Sequence, residues 1–313
     1  MTAVARMKIR KEKIMQSKPM TGHLAALFTA VVWGTTFIST KILLADFQPV
    51  EILFFRFVLG YLVLLVTCPR PLRLAQPRQE GLFALAGLCG ICLYYLMENI
   101  ALTYTMASNV GVVVSIAPFF TAVLAHLLMP EGEKLRGNFF AGFAVAMVGI
   151  VLISFHGARL KVNPVGDILS VGAALVWACY SLLTRRIGGL GHPVILTTRR
   201  IFFYGILCMI PALFFFDFQM DLHRFARLSS LLNLLYLGMG ASALCFVTWN
   251  YGVKVLGAVR TSVYIYLVPV ITIVTSMLFL REPVTWMSAA GTALTIVGLV
   301  VSEYRGKREN TKP

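Results

Sequence analysis

From residue 22 to residue 303 the chain is a succession of apolar runs, each about twenty residues long and parted by short polar breaks. A helical run of that length crosses a hydrocarbon layer about 30 Å thick. Inside such a layer no water satisfies the backbone, so each run must close its own hydrogen bonds as a helix. The runs fall at 22–44, 49–67, 81–104, 107–128, 136–155, 165–184, 193–216, 230–253, 258–280 and 284–303. The expected fold class is therefore all-α integral membrane, with ten transmembrane helices. The breaks carry Pro, Gly and charge, as in Pro69-Arg70-Pro71, Gly132-Glu133-Lys134 and Gly188-Gly189. Of the 313 residues, 58% are hydrophobic and 13% charged, where a soluble domain has about 25% charged. What remains between the runs is too short for a soluble catalytic domain.

The formal net charge of +15 would fit a nucleic-acid partner if its placement allowed one. The lysines and arginines lie instead in tails and short loops, so no nucleic-acid partner is expected. With the N-terminus inside, 19 Lys and Arg fall on the inner side and 6 on the outer, while Arg56, Arg199 and Arg200 lie within runs. This asymmetry predicts a cell (inner) membrane protein with both termini cytoplasmic. Residues 1–20 are basic and lack a cleavage site after the first run, unlike a removable signal peptide. Cys68, Cys89, Cys92, Cys179, Cys208 and Cys245 lie almost entirely inside apolar runs, which reads as packing and not as a disulfide framework.

The chain also repeats itself. Trp33 and Trp177, Pro49 and Pro193, and Arg56 and Arg200 are each 144 residues apart. Asn99 and Asn250, Pro118 and Pro269, and Glu131 and Glu282 are 151 apart. Gly142 with Gly291 and Gly149 with Gly298 are 149 apart. The offset changes only in loops, where insertions are tolerated. The expected organisation is a tail at 1–21, a first repeat at 22–155, a second at 165–303 and a tail at 304–313. Each repeat holds five runs. Five is odd, so the second repeat enters from the opposite side, and the two are inverted. Inverted repeats place a substrate site between the halves near the midplane and give two packings of similar energy.

At these residues the chain resembles the drug/metabolite transporter superfamily, specifically proteins with two EamA-type repeats. The resemblance covers roughly residues 22–303. It rests on Trp33-Gly34, Pro49 with Arg56, Glu98-Asn99-x-Ala101-Leu102, Ser115-x-x-Pro118, then Glu131, Gly142 and Gly149. The second half answers with Trp177, Pro193 with Arg200, Trp249-Asn250-Tyr251, Pro269, Glu282, Gly291 and Gly298. It departs in having Ala178 in the place of Gly34 and Tyr266 in the place of Ser115, which breaks the symmetry at the expected site. The resemblance implies a ten-helix carrier with cytoplasmic termini that exports amino acids, related metabolites or drugs.

Helical spacing sorts the candidate residues. Trp33, Thr36, Phe37 and Thr40 share one face, as do Trp177, Tyr180, Ser181 and Thr184. Tyr95, Glu98 and Asn99 share another, matched by Phe246, Trp249 and Asn250. Ser115 and Tyr266 occupy equivalent positions. Polar and aromatic groups at membrane depth face a cavity or a neighbouring helix. The expectation is a central cavity with Trp33 and Trp177 as walls or gates. The plainer alternative for Asn and the hydroxyls is packing glue between helices. Glu98 is the deepest carboxylate and Arg56 lies at similar depth, so a Glu98–Arg56 contact is expected; a proton-coupling role for Glu98 competes with it. Arg200 then needs another acceptor, such as helix-end carbonyls. Pro118 and Pro269 are kinks or hinges. The Gly142/Gly149 and Gly291/Gly298 pairs allow close helix approach. Glu51, near a helix end, is expected to be solvated, and Glu131 and Glu282 are expected to cap or solvate helix ends.

No Walker sequence, HExxH or GxSxG is present, so ATP-driven and hydrolytic chemistry have no support, and no cofactor or metal is expected. The sequence reading is a secondary transporter for a small-molecule substrate, in contact with the lipid bilayer, exporting a metabolite such as an amino acid. A drug or organic-cation exporter of the same fold is the alternative. A membrane-embedded enzyme would need a convergent His, Asp or Cys cluster, and a channel would lack saturable counterflow. The pattern is silent on a homodimer.

Overall fold

A computed structural model of the chain describes residues 3–104, 107–128, 137–154, 163–216, 218–219, 221–280 and 286–303. Among the described residues there are helices and turns and no strand. The helices are α1 (Ala3–Leu43), α2 (Pro49–Thr67), α3 (Gln79–Tyr104), α4 (Ala107–Val114), α5 (Ala117–Leu128), α6 (Gly137–Ser154), α7 (Pro164–Gly189), α8 (Val194–Phe215), α9 (Leu228–Leu256), α10 (Ala258–Val263), α11 (Leu267–Leu280) and α12 (Trp286–Glu303). Six segments are long and apolar enough to cross a membrane: Pro19–Leu43, Pro49–Thr67, Gln79–Tyr104, Pro164–Gly189, Val194–Phe215 and Leu228–Leu256. Four shorter apolar helices cover Ala117–Leu128, Gly137–Leu152, Ala258–Thr272 and Ala289–Ser302. Helix α1 begins at Ala3, within the residues expected to form the tail. Glu131, Glu282 and the tail at 304–313 lie outside the described residues.

Local chemistry sets several of these boundaries. Asn163 caps α7 by accepting from the Val165 and Gly166 amides at 3.1 and 3.3 Å, with Pro164 in the first turn, where its missing N–H costs nothing. Pro49 opens α2 in the same way, and the Glu51 carboxylate accepts from the Gln48 amide at 2.8 Å. Gly257, at φ +98°, ends α9 in a backbone conformation that favours glycine.

Two expected spans are not continuous helices. The run at 107–128 breaks at Ser115–Ile116 into α4 and α5, and the run at 258–280 passes through a 3₁₀ turn at Tyr264–Tyr266 between α10 and α11. Pro118 and Pro269 lie just past these breaks. Each lacks the N–H that a continuous α-helix would use, and each ring crowds the preceding turn. Helices α3 and α9 also depart from α geometry, through π segments at Leu88–Leu93 and Tyr236–Leu244. Shifted by 151 residues, the first falls inside the second.

Polarity is distributed inside out. Phe214, Phe215 and Val66 are more than four-fifths exposed, while Glu51, Arg56 and Glu98 are buried. An apolar exterior around a partly polar interior suits a lipid surrounding, not water. Helices α6 and α12 pack backbone to backbone. A Cβ on Gly142 would stand 2.6 Å from the Gly298 carbonyl oxygen, and one on Gly149 would stand 2.6 Å from that of Gly291. The spacing of these glycines predicted such an approach, and the structure pairs each with the other's mate.

Ion pairs join the two halves of the chain at both ends of the bundle. At one end Arg224 binds Glu51 at 2.7 and 3.2 Å, the Gln219 amide donates to Glu51 at 2.9 Å, and Arg227 reaches Asp46 at 2.6 Å. The Glu51 carboxylate raises the Arg224 guanidinium above its ordinary pKa. Glu51 is fully buried, which corrects its expected solvation; Pro49 sets it in the first turn, where the segment after α8 folds over it. At the other end Arg200 pairs with Glu80, which also accepts from the Tyr204 hydroxyl at 2.7 Å. Arg199, not Arg200, holds helix-end carbonyls, those of Cys68 and Arg70. Lys41 donates to the Leu102 carbonyl at 3.2 Å, and Arg185, 144 residues on, donates to the Val253 carbonyl at 3.4 Å, 151 residues on from Leu102.

Candidate functional site

A narrow cavity lies at the centre of the bundle. It is walled by Trp33, Thr36 and Phe37 of α1; Tyr94, Tyr95 and Glu98 of α3; Gly111, Val114 and Ser115 at the α4 break; Trp177 of α7; and Ile265 and Val268 at the second break. The room left between these walls is small, about 30 Å³. The cavity is thus too narrow for a metabolite, which enters only if the walls part.

Local structure explains how these residues converge. The α1 residues follow one helical face. In α3 the π segment ends at Leu93, directly before Tyr94 and Tyr95. A π turn holds one residue more than an α turn and rotates the succeeding side chains by about 100°. Gly90 within it admits the Tyr180 ring, to which a Cβ would come within 2.1 Å. In α9 the π segment supplies partners to the first half. Trp33 Nε1 donates to the Ala241 carbonyl at 2.9 Å, and Arg56 Nε donates to Ser242 Oγ at 3.0 Å.

The aromatic rings form one cluster across both halves. Trp33 meets Trp177 edge to face at 5.1 Å and Trp249 at 5.0 Å between centroids. Phe246 lies 5.6 Å from Trp33 and 6.1 Å from Trp177, and Tyr94 lies 4.8 Å from Trp177. Such contacts add about 0.5–1.5 kcal/mol per pair beyond burial.

Of the expected site residues, the structure sets Trp33, Thr36, Tyr95, Glu98, Ser115 and Trp177 on the cavity wall. It places Asn99, Tyr180, Ser181, Trp249, Asn250 and Tyr266 behind it, all buried. Asn99 Nδ2 donates to the Pro49 carbonyl at 3.1 Å. Asn250 accepts from Tyr180 at 2.8 Å and donates to Thr198 at 3.0 Å. Both asparagines therefore tie helices together. Trp177 Nε1, Trp249 Nε1, Ser181 Oγ and the Tyr266 hydroxyl are buried without a hydrogen-bond partner.

Two expectations about charge are corrected. Glu98 and Arg56 make no ion pair. Arg56 lies over the Tyr95 ring at 4.4 Å and near Phe57 at 5.2 Å, so its charge reaches Glu98 only through space. The Tyr95 face and Ser242 Oγ are the partners the guanidinium takes instead of the carboxylate. Arg200 turns instead to Glu80. Tyr94 was not singled out by the sequence. Its hydroxyl is within hydrogen-bonding reach of Glu98, four residues on, and that spacing was the available signal. All six cysteines are free. Among the described residues no group of three His, Cys, Asp or Glu could hold a metal.

Comparison with known proteins agrees with this architecture. Residues 20–155 and 164–304 each match the EamA-like transporter family, so the chain belongs to that family. An "Uncharacterized transporter" of Archaeoglobus fulgidus is 27% identical, over 90% of this chain and 96% of its own. A "Probable terminal-alkyne amino-acid exporter" of Streptantibioticus cattleyicolor is 26% identical, over 92% and 96%. A "Probable amino-acid metabolite efflux pump" of Escherichia coli is 24% identical, over 89% and 93%. A solved structure titled "Crystal structure of protein" has the same fold, with a TM-score of 0.73 at 21% identity, over 91% of this chain and 96% of that one. The chain is a multi-pass membrane transporter of small molecules, as its family and the names of its relatives indicate.

Proposed function

From membership of the EamA-like transporter family as the premise, we propose that this protein exports a small amphipathic metabolite such as an amino acid, by alternating access through the central aromatic cavity. The observation that carries the reading is the cavity's composition: Trp33 comes from one repeat and Trp177 from the other, and they meet at 5.1 Å. A site shared between halves changes its access when the halves rock. The cavity holds almost no free space, which fits an occluded state between two open ones. The six long apolar segments, taken with the four shorter apolar helices, support a reading as ten spans in two inverted sets of five. The Lys and Arg bias supports cytoplasmic termini in the cell membrane. Pro118 and Pro269 sit where the helices already break, and they serve as hinges beside the cavity. Arg56 and Arg200 act as structural charges behind it and at its inner end.

The test is counterflow in proteoliposomes loaded with a panel of amino acids. Saturable counterflow is expected. Gly111 supplies the control, because it lines the cavity and, among the described residues, no heavy atom lies within 4 Å of a Cβ built on it. Gly111→Leu therefore adds bulk at the cavity wall with no clash against the described backbone. It should lower flux at least about tenfold while the yield of folded, monodisperse protein stays constant. Undiminished flux in Gly111→Leu would remove the cavity from the path. Failure of every amino acid, with competition by organic cations, would make this a drug exporter of the same fold.

A further inference from the structure

Glu98 is 4% exposed and lines the cavity. It is the only charged residue among the described lining residues. Among the described residues no Lys, Arg or His forms an ion pair with it. The Tyr94 hydroxyl lies beside it, a polar neighbour that carries no charge. The cation that acts on it through space, Arg56, is not among the described lining residues and lies over the Tyr95 ring. A carboxylate at membrane depth without a cation is costly, and such residues are kept where a ligand or ion completes them.

The surrounding walls point to what completes it. Trp33, Phe37, Tyr94, Tyr95 and Trp177 surround the same space. The faces of aromatic rings carry negative potential and attract cations, with Trp the strongest. A carboxylate within an aromatic cage and no cation at the wall repels an anion and draws a positive nitrogen. We infer that Glu98 is the specificity-determining residue that reads a positively charged nitrogen of the cargo, held in the cage formed by Trp33, Trp177 and the tyrosines. This rests on the proposed role of the cavity as the transport site. It extends that role by fixing which group of the cargo sits there and by leaving the cargo's carboxylate, if it has one, without a partner at the wall. The positive nitrogen can belong to an amino acid or to a simple organic amine.

The test is ligand binding to the purified full-length protein, read by the fluorescence of its tryptophans, two of which form the cage. The four probes share one phenyl group: phenethylamine (cation), phenylalanine (zwitterion), N-acetylphenylalanine (anion) and phenylethanol (neutral). The wild type should bind the two amines at least about tenfold more tightly than the other two. Glu98→Gln keeps the size and should bring both amines down to the affinity of phenylethanol, whose own affinity stays unchanged. Glu98→Asp keeps the charge and should retain the preference for amines at reduced affinity, which also covers a failure of Glu98→Gln to fold. Tighter binding of phenethylamine would assign organic amines as the source, and tighter binding of phenylalanine would assign amino acids. If phenylethanol binding is blocked by Gly111→Leu but Glu98→Gln binds the amines as tightly as wild type, the inference about Glu98 falls and the cavity reading stands. If Gly111→Leu leaves all binding unchanged, the cavity reading itself falls. Folded wild type that binds neither amine would also overturn the inference.

Discussion

In α3 the π segment is followed by Tyr94, Tyr95, Glu98 and Asn99; in α9 the equivalent segment is followed by Cys245, Phe246, Trp249 and Asn250. The backbone does the same thing twice, 151 residues apart. The side chains do not. The first half turns hydroxyls and a carboxylate toward the cavity. The second half turns a phenylalanine and a tryptophan into the packed layer behind it. The asparagines, identical in type, have also diverged: Asn99 holds a backbone carbonyl, and Asn250 joins Tyr180 to Thr198. Duplication thus supplied a frame with two equivalent ends, and substitution on that frame put the polar part of the wall on α3 and packed aromatic support at the matching place on α9.

The comparison can be broken first where the halves remain alike. Val introduced at Gly149 and at Gly298, which are mates, would drive each new side chain into opposing backbone within 2.6 Å. Each variant should lose about 2–3 kcal/mol of stability, measured by thermal unfolding in detergent, and the two losses should be similar. A large loss from one and none from the other would show that the α6–α12 contact is not a shared feature.

A smaller effect should separate two positions that have diverged. Gly90 and Ala241 are mates. A Cβ at 90 would strike the Tyr180 ring, which its hydrogen bond to Asn250 holds in place. Gly90→Ala should cost about 1–3 kcal/mol, and Ala241→Gly less than about 1 kcal/mol. Equal costs would mean that Tyr180 moves aside freely.

The smallest effects concern the two ends. Glu51 is fully buried in its pair with Arg224, whereas Glu80 and Arg200 are each about one-third exposed, at 31% and 34%. Glu51→Gln should cost about 1–2 kcal/mol, and Glu80→Gln at most about 1 kcal/mol, reduced further by salt. Added salt should leave the Glu51 variant's deficit in place and shrink that of the Glu80 variant. The same salt response in both would make the two junctions equivalent after all.

Much of this was legible from the chain alone. Apolar runs of membrane length, the repeat offsets and the glycine spacing follow from local chemistry that every helix in lipid must obey. The faces carrying Trp33 with Thr36, and Tyr95 with Glu98, were readable because 3.6-residue periodicity fixes neighbours within one helix. The partners of the charges were not. Arg56 and Glu98 share a depth, and depth suggested a contact, but Arg56 settles over the Tyr95 ring and bonds Ser242 instead. Glu80 was indistinguishable from any loop carboxylate until α8 brought Arg200 and Tyr204 against it. The π segments left no pattern in residue type, because one extra residue in a turn is set by packing against a neighbouring helix, here Tyr180 against Gly90. What the sequence determined by itself was therefore helical, lipid-facing and twofold in origin, since periodicity and length act along the chain. Which side chains line the cavity, and which charge is left there without a partner, was decided only by the tertiary structure, because those relations join residues that no spacing along the chain connects.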